Sequence, residues 1–316
     1  MSDLIPGTET AQKCYAHTSD SETAVALPAR KARLGKGLEI YRALPLKELK
    51  MIGPWCFVDH FGPLQVVQGA GLRVGPHPHI GLQTVTWLLA GELLHRDSLG
   101  FVQRILPGQL NLMTSGGGIS HSEESPAEHV GPLHGVELWL ALPEAERHCH
   151  PGFDHYSVLP VIEKTGMRIC LLAGDAMGQH SPARVFSPMV ALDIELIDTG
   201  TRQIGLNPEY EHGLLVLEGH VTTADKLLGV GTLFYLPRGR THLGLDHPMP
   251  ARVLLIGGQP FSETILMWWN FVGRTKEEIA SARDDWEKGT RFGIVHGYNG
   301  ARIAAPEFTY RIKSGE

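Results

Sequence analysis

The chain has 316 residues, 42% of them hydrophobic, and a formal charge of −6. That length allows two ordinary domains with sizeable cores, and the acidic balance excludes a broad basic field for nucleic-acid phosphates. The local cluster Arg30, Lys31, Arg33 and Lys36 is too small to replace such a field and reads as a solvated surface. Cys14, Cys56, Cys149 and Cys170 lie far apart, form no CxxC pair and give no disulfide framework. The N-terminus lacks the basic and apolar regions of a signal peptide, and no apolar run approaches the ~20 residues of a membrane span. A cytoplasmic protein without nucleic-acid or membrane contact is expected.

Residues 1–24 are polar and read as a flexible arm. The 37 glycines and 21 prolines follow no collagen-like period, so they punctuate many short elements. Strands are predicted over Gln83–Leu89, Leu110–Met113 and Val136–Leu142. Leu106-Pro107-Gly108-Gln109 and Ser115-Gly116-Gly117-Gly118 carry turn chemistry between them. In the third strand Val136, Leu138, Leu140 and Leu142 alternate with Glu137, Trp139 and Ala141, which predicts one face on a core. Pro143 to Asp154 is polar and rich in histidine, and residues 146–157 are expected to link a unit at 25–145 to a second at 158–316.

The second unit echoes the first. Leu214-Leu215-Val216-Leu217-Glu218-Gly219 resembles Thr86-Trp87-Leu88-Leu89-Ala90-Gly91, and His242 follows its turn as His121 does. Near the end, Thr275-Lys276-Glu277-Glu278 is a capping box, Ile279, Ala282 and Trp286 share a helical face, and Gly289 stops the helix. This helix is expected to pack on the second unit. Many short strands with one helix predict an all-β protein of two antiparallel barrels or sandwiches.

Ten of the 17 histidines lie between His60 and His155. His60, His95, His129 and His134 stand singly and read as hydrogen-bonded structural or pocket histidines. His148-Cys149-His150 and His155 sit in the polar linker and read as surface. His77 and His79 differ, because residues i and i+2 of a strand share a face. His121 and Glu123 repeat that spacing directly after Gly116-Gly117-Gly118. Three imidazoles and a carboxylate suit Fe(II), Mn(II), Ni(II) or Zn(II) with open positions for substrate or O2.

These segments, with Trp55-Cys56-Phe57-Val58-Asp59-His60-Phe61, the run from His77 to Val85, and the run from Leu133 to Leu140, resemble the pirin family of the cupin superfamily. The resemblance covers most of the chain from about residue 30. It implies two cupin (double-stranded β-helix) barrels with a short C-terminal helix. It places one metal in the N-terminal barrel, held by His77, His79, His121 and Glu123. Fe(II) is favoured, with Mn, Ni, Cu or Zn as alternatives.

The second barrel lacks an HxH. Gly205 and Asn207 stand at its histidine positions, with His242 and Glu211 opposite His121 and Gln83, so no metal is expected there. Gln83 also departs from the glutamate that many cupins carry four residues after the second histidine. The resemblance further implies quercetin 2,3-dioxygenase activity on flavonols with O2 and release of CO, with Glu123 as general base. Leu82, Trp87 and Met113 are candidates to shape the pocket, against plain core packing. Two other readings are a redox-sensing regulator that binds a protein partner, and another cupin enzyme acting on a small polar substrate.

Overall fold

The computed structural model describes residues 11–15, 23–34 and 38–308. Most of the arm expected at 1–24 therefore lies outside the described residues, as does Lys36. Two barrels form, each from a large sheet and a four-stranded one. In the first, Gly152–Tyr156, Leu110–Thr114, Leu82–Ala90, Gly131–Ala141, Trp55–Val66, Leu38–Leu44 and Arg30–Leu34 form seven strands in that order. The smaller sheet runs Arg73–His79, Ile119–Glu124, Leu93–Asp97, Val102–Ile105. The second barrel repeats this plan with Met167–Ala176, Met189–Leu196, Ala251–Gly258, Glu211–Glu218 and Thr232–Leu236 at the centre of its large sheet.

The alternation predicted for the third strand exists, with one face on a core. Val136, Leu138 and Leu140 face away from their own barrel into a core shared with Leu172, Leu215, Leu254 and Ile256 of the second. Glu137 and Trp139 on the same strand line the first barrel's cavity. Neighbouring strands follow suit: Val85 and Trp87 join the shared core, and Trp87 Nε1 donates to Asp193 of the second barrel at 3.0 Å. Trp55 Nε1 donates to the Gly257 carbonyl at 3.1 Å, and Gly53 N to Glu211 at 2.5 Å. A barrel whose outer face is sealed this way can carry polar groups inside.

The chain crosses between barrels more than a two-unit reading allows. Val25–Pro28 pairs with Thr232–Leu236 in the second barrel. Residues 146–157, expected as a linker, contribute the strand Gly152–Tyr156, which pairs with Leu110–Thr114 of the first. Its Phe153 ring stacks on His95 there, and that contact fixes the stretch in place.

The helix Lys276–Lys288 forms with Thr275 as N-cap, Gly289 as left-handed C-cap and Ile279, Ala282 and Trp286 buried. It packs beside the first barrel, not the second. Its partners are Trp268, Phe271 and Ile80, in a cluster that seals the barrel edge next to His79.

His60 and His134 face each other between the barrels, their Nε2 atoms 2.7 Å apart, and His134 Nδ1 lies 3.1 Å from Glu218. Burial lowers His60 from 6.5 to about 3. The stability its neutral form contributes is intact above pH 6.5 and is lost as pH falls toward 3, because only the unfolded chain takes the proton. Unfolding free energy is expected to drop by about 2 kcal/mol between pH 6.5 and 5 on this account. Denaturant titrations over that range should show His60→Phe with a slope shallower by about 1.4 kcal/mol per pH unit. Parallel slopes would contradict the assignment.

Candidate metal centre

The strands Arg73–His79 and Ile119–Glu124 pair antiparallel, with His121 opposite His77 and Ile119 opposite His79. This register brings one donor nitrogen each from His77, His79 and His121 within 4.8 Å of one another. All three rings are buried, at 4%, 1% and 1% exposure.

Their orientation is set by acceptors behind them. His77 Nδ1 lies 2.9 Å from the Gly75 carbonyl and His79 Nδ1 2.9 Å from the Asn270 carbonyl. A carbonyl only accepts, so both Nδ1 atoms carry the proton and both Nε2 atoms present lone pairs. Burial pushes His77 down to about 3, and His79 and His121 well below their ordinary values. The rings therefore stay neutral, as metal ligands must be. Converging neutral imidazoles with bare nitrogens fit a divalent transition metal.

The Asn270 acceptor comes from the C-terminal segment. Phe271 bridges Ile80, and Val272 N donates to the Ile80 carbonyl at 3.1 Å. Gly81 permits this approach: its φ is +68°, and a Cβ there would run into the Val272 carbonyl. Further along, Arg291 Nε donates to the Gly117 carbonyl at 2.6 Å, Ser120 Oγ to the Phe292 carbonyl at 3.0 Å, and Ile303 N to the Pro76 carbonyl at 2.8 Å. The segment thus grips both histidine strands from outside.

Glu123 lines the same cavity but stands apart from the three-nitrogen group. A register shift between His121 and Glu123 separates them along the strand. The Glu123 carboxylate instead accepts from Thr86 Oγ1 at 3.2 Å. Burial raises its proton affinity above the usual carboxylate range. Glu137, seen in the sequence only as part of an alternation, lines the same cavity from the larger sheet, opposite Thr86 on one side and Asp59 on the other. Burial first, and then the Glu123 charge, push Glu137 well above the ordinary carboxylate value. Asp59, also on the cavity wall, is held by Arg42 through two hydrogen bonds of 2.7 Å. The alternation of Glu137 with Val136 and Leu138 signals this wall, but only once the apolar side is known to face the other barrel.

The remaining expectations divide. Gln83 lies off the cavity and donates from Nε2 to Thr114 Oγ1 at 2.9 Å and to the Arg184 carbonyl of the second barrel at 3.0 Å. Leu82 and Trp87 are core, and Met113 is buried away from the cavity lining. His148 and His150 are exposed, and His155 pairs with Asn111 at 2.8 Å. In the second barrel Gly205 pairs with an exposed His242, while Glu211 is buried against Gly53 N and the Tyr235 hydroxyl.

Two antiparallel barrels packed sheet to sheet, one with a buried cluster of histidines, define a bicupin. The chain belongs to the pirin family: the Pirin profile matches residues 37–140 and the Pirin C-terminal cupin domain profile residues 191–293. A Pseudomonas aeruginosa protein named "Putative quercetin 2,3-dioxygenase" is 48% identical over 286 residues, covering 90% of each chain. The crystal structure of an Acinetobacter baumannii protein named quercetin 2,3-dioxygenase superposes with a TM-score of 0.89 at 43% identity, covering 92% of this chain and 97% of that one. The Rattus norvegicus protein named Pirin is 29% identical over 296 residues, covering 90% of this chain and 96% of its own.

Titration with Fe(II), Mn(II) or Ni(II) under anaerobic conditions should raise the melting temperature with a stoichiometry of one. A metal at 100-fold excess over its Kd contributes about 2.7 kcal/mol. His79→Ala should abolish the shift, and an equal shift in the variant would place the metal elsewhere.

Proposed function

We propose that this protein is a metal-dependent dioxygenase that opens the ring of a flavonol such as quercetin with O2 and releases CO. The observation that carries the proposal is the buried three-histidine group, set beside cavity carboxylates in a chain close to proteins named for that activity. His77, His79, His121 and Glu123 are the proposed ligands, with Fe(II) as the metal and Mn, Ni, Cu or Zn as alternatives. When bound, the metal would supply Lewis acidity toward a hydroxyl and a centre for O2 chemistry.

The chain's own groups do the rest. Glu123 accepts the proton of the flavonol hydroxyl, a task suited to a carboxylate whose proton affinity is already raised by burial. Glu137, whose protonated form burial and the Glu123 charge favour, donates a hydrogen bond to a second oxygen of the ring. Phe57, Phe61 and Trp139 stack around the aromatic skeleton and keep water away. The cavity as it stands measures about 30 Å³, space for roughly two waters. A flavonol therefore requires wall residues to move apart. We place the protein in the cytoplasm. Among the described residues no helix is long and apolar enough to cross a membrane.

Metal-loaded protein given quercetin and O2 should evolve CO, and Glu123→Gln should slow turnover by about 10²–10⁴-fold while the metal still binds. Loaded protein with no turnover would sink the flavonol reading and favour a redox-sensing regulator with a protein partner, or an enzyme for a smaller polar substrate.

A further inference from the structure

Two of the three histidines are oriented by backbone carbonyls, and the third is not. His121 Nδ1 faces another side chain, His95, whose Nδ1 lies 3.4 Å away. His95 Nε2 in turn lies 3.0 Å from Asp97 Oδ2. We propose that Asp97 and His95 form a positioning relay that fixes the tautomer of His121 and so keeps its Nε2 bare. This inference rests on the metal-centre reading above but makes a separate claim about the metal-free chain.

The protons can be followed atom by atom. Asp97 Oδ1 accepts the backbone N–H groups of Leu99 and Phe101, at 2.9 and 3.1 Å, so the carboxylate is pinned in its turn. Its other oxygen can only accept from His95, so His95 carries its proton on Nε2. His95 Nδ1 is then a lone pair and accepts from His121, which must carry its proton on Nδ1. His121 Nε2 is left as a lone pair, 3.0 Å from His79 Nε2 and on the side where His77 and His79 present theirs.

The relay is held rigidly. His95 and Asp97 are i, i+2 neighbours on the strand Leu93–Asp97 and are 4% and 1% exposed. The strand pairs with Ile119–Glu124 with Asp97 opposite His121, so the relay lies across one ladder from the ring it sets. The His95 ring is stacked on Phe153 at 4.3 Å and 15°, and Phe153 packs on Phe101 at 5.2 Å. Groups of this kind behind a ligand histidine typically hold about 10–100-fold in metal affinity. The sequence carries the signal as a third pair at the same spacing, His95 with Asp97, beside His77 with His79 and His121 with Glu123.

Asp97→Asn is the sharpest test. Its Oδ1 still serves the Leu99 and Phe101 amides, but its NH2 now faces His95 Nε2. His95 must accept there and carry its proton on Nδ1, which forces the His121 proton onto Nε2, where a metal would sit. The same kind of tautomer inversion disables a catalytic histidine when its partner aspartate becomes asparagine.

Long-range ¹H–¹⁵N spectra of the metal-free wild-type protein should show His121 as the Nδ1–H form, and those of Asp97→Asn the Nε2–H form. Ni(II) affinity should fall about 10–100-fold in the variant. An Nε2–H form in the wild type, which needs no variant to observe, overturns the relay. So does unchanged affinity in a variant that folds. Wild-type protein with the expected tautomer but no affinity for Ni(II), Fe(II) or Mn(II) would instead overturn the metal-centre reading and leave the relay standing.

Discussion

The arrangement depends on burying the apolar faces of two large sheets against each other. Val85, Trp87, Val136 and Leu138 point away from their own barrel's cavity, which carries histidines and carboxylates among its lining. Facing the second barrel, they form a dry core with Leu172, Leu215, Leu254 and Ile256. At roughly 25 cal/mol per Å² of apolar surface removed from water, such a core offsets the cost of a polar cavity. The second barrel has an apolar interior of its own, built from residues such as Ile169, Leu192, Val216 and Leu255, and acts as the platform.

A second constraint runs from the C-terminal segment back to the site. The hairpin at Ile265–Gly273, the helix Lys276–Lys288 and the stretch through Ile303 all lean on the first barrel. They supply the Asn270 carbonyl that orients His79 and backbone contacts to the residues flanking His77 and His121. The three-histidine group therefore depends on long-range packing as much as on the two strands that carry it. Its outer supports differ in kind: main-chain carbonyls at His77 and His79, and a side-chain pair at His121.

Local patterns were readable in the sequence, and distant partners were not. The i, i+2 histidine pair, the capped helix and its buried face are all properties of a few neighbouring residues. Gln83 shows where counting fails. It lies four residues after His79, but the chain turns at Ile80-Gly81, where Gly81 is left-handed, so strand parity does not carry across. Glu137 is hard to find because alternation alone does not say which face of the strand lines a cavity and which meets the other barrel. The strand at Gly152–Tyr156 looked like a linker because its partner sits some forty residues away in sequence and its polar side chains meet specific acceptors, as His155 does at Asn111. The helix gives no sign in its own residues of which barrel it covers.

The three neutral imidazoles proposed to hold one metal inside the first barrel can be counted by X-ray absorption spectroscopy on purified protein loaded with a single divalent ion, because imidazole gives its own multiple-scattering signature. One ion per chain with three imidazoles, light oxygen ligands and no sulfur is the predicted result. A sulfur-containing shell, or an imidazole count unchanged in His121→Ala, would contradict the account.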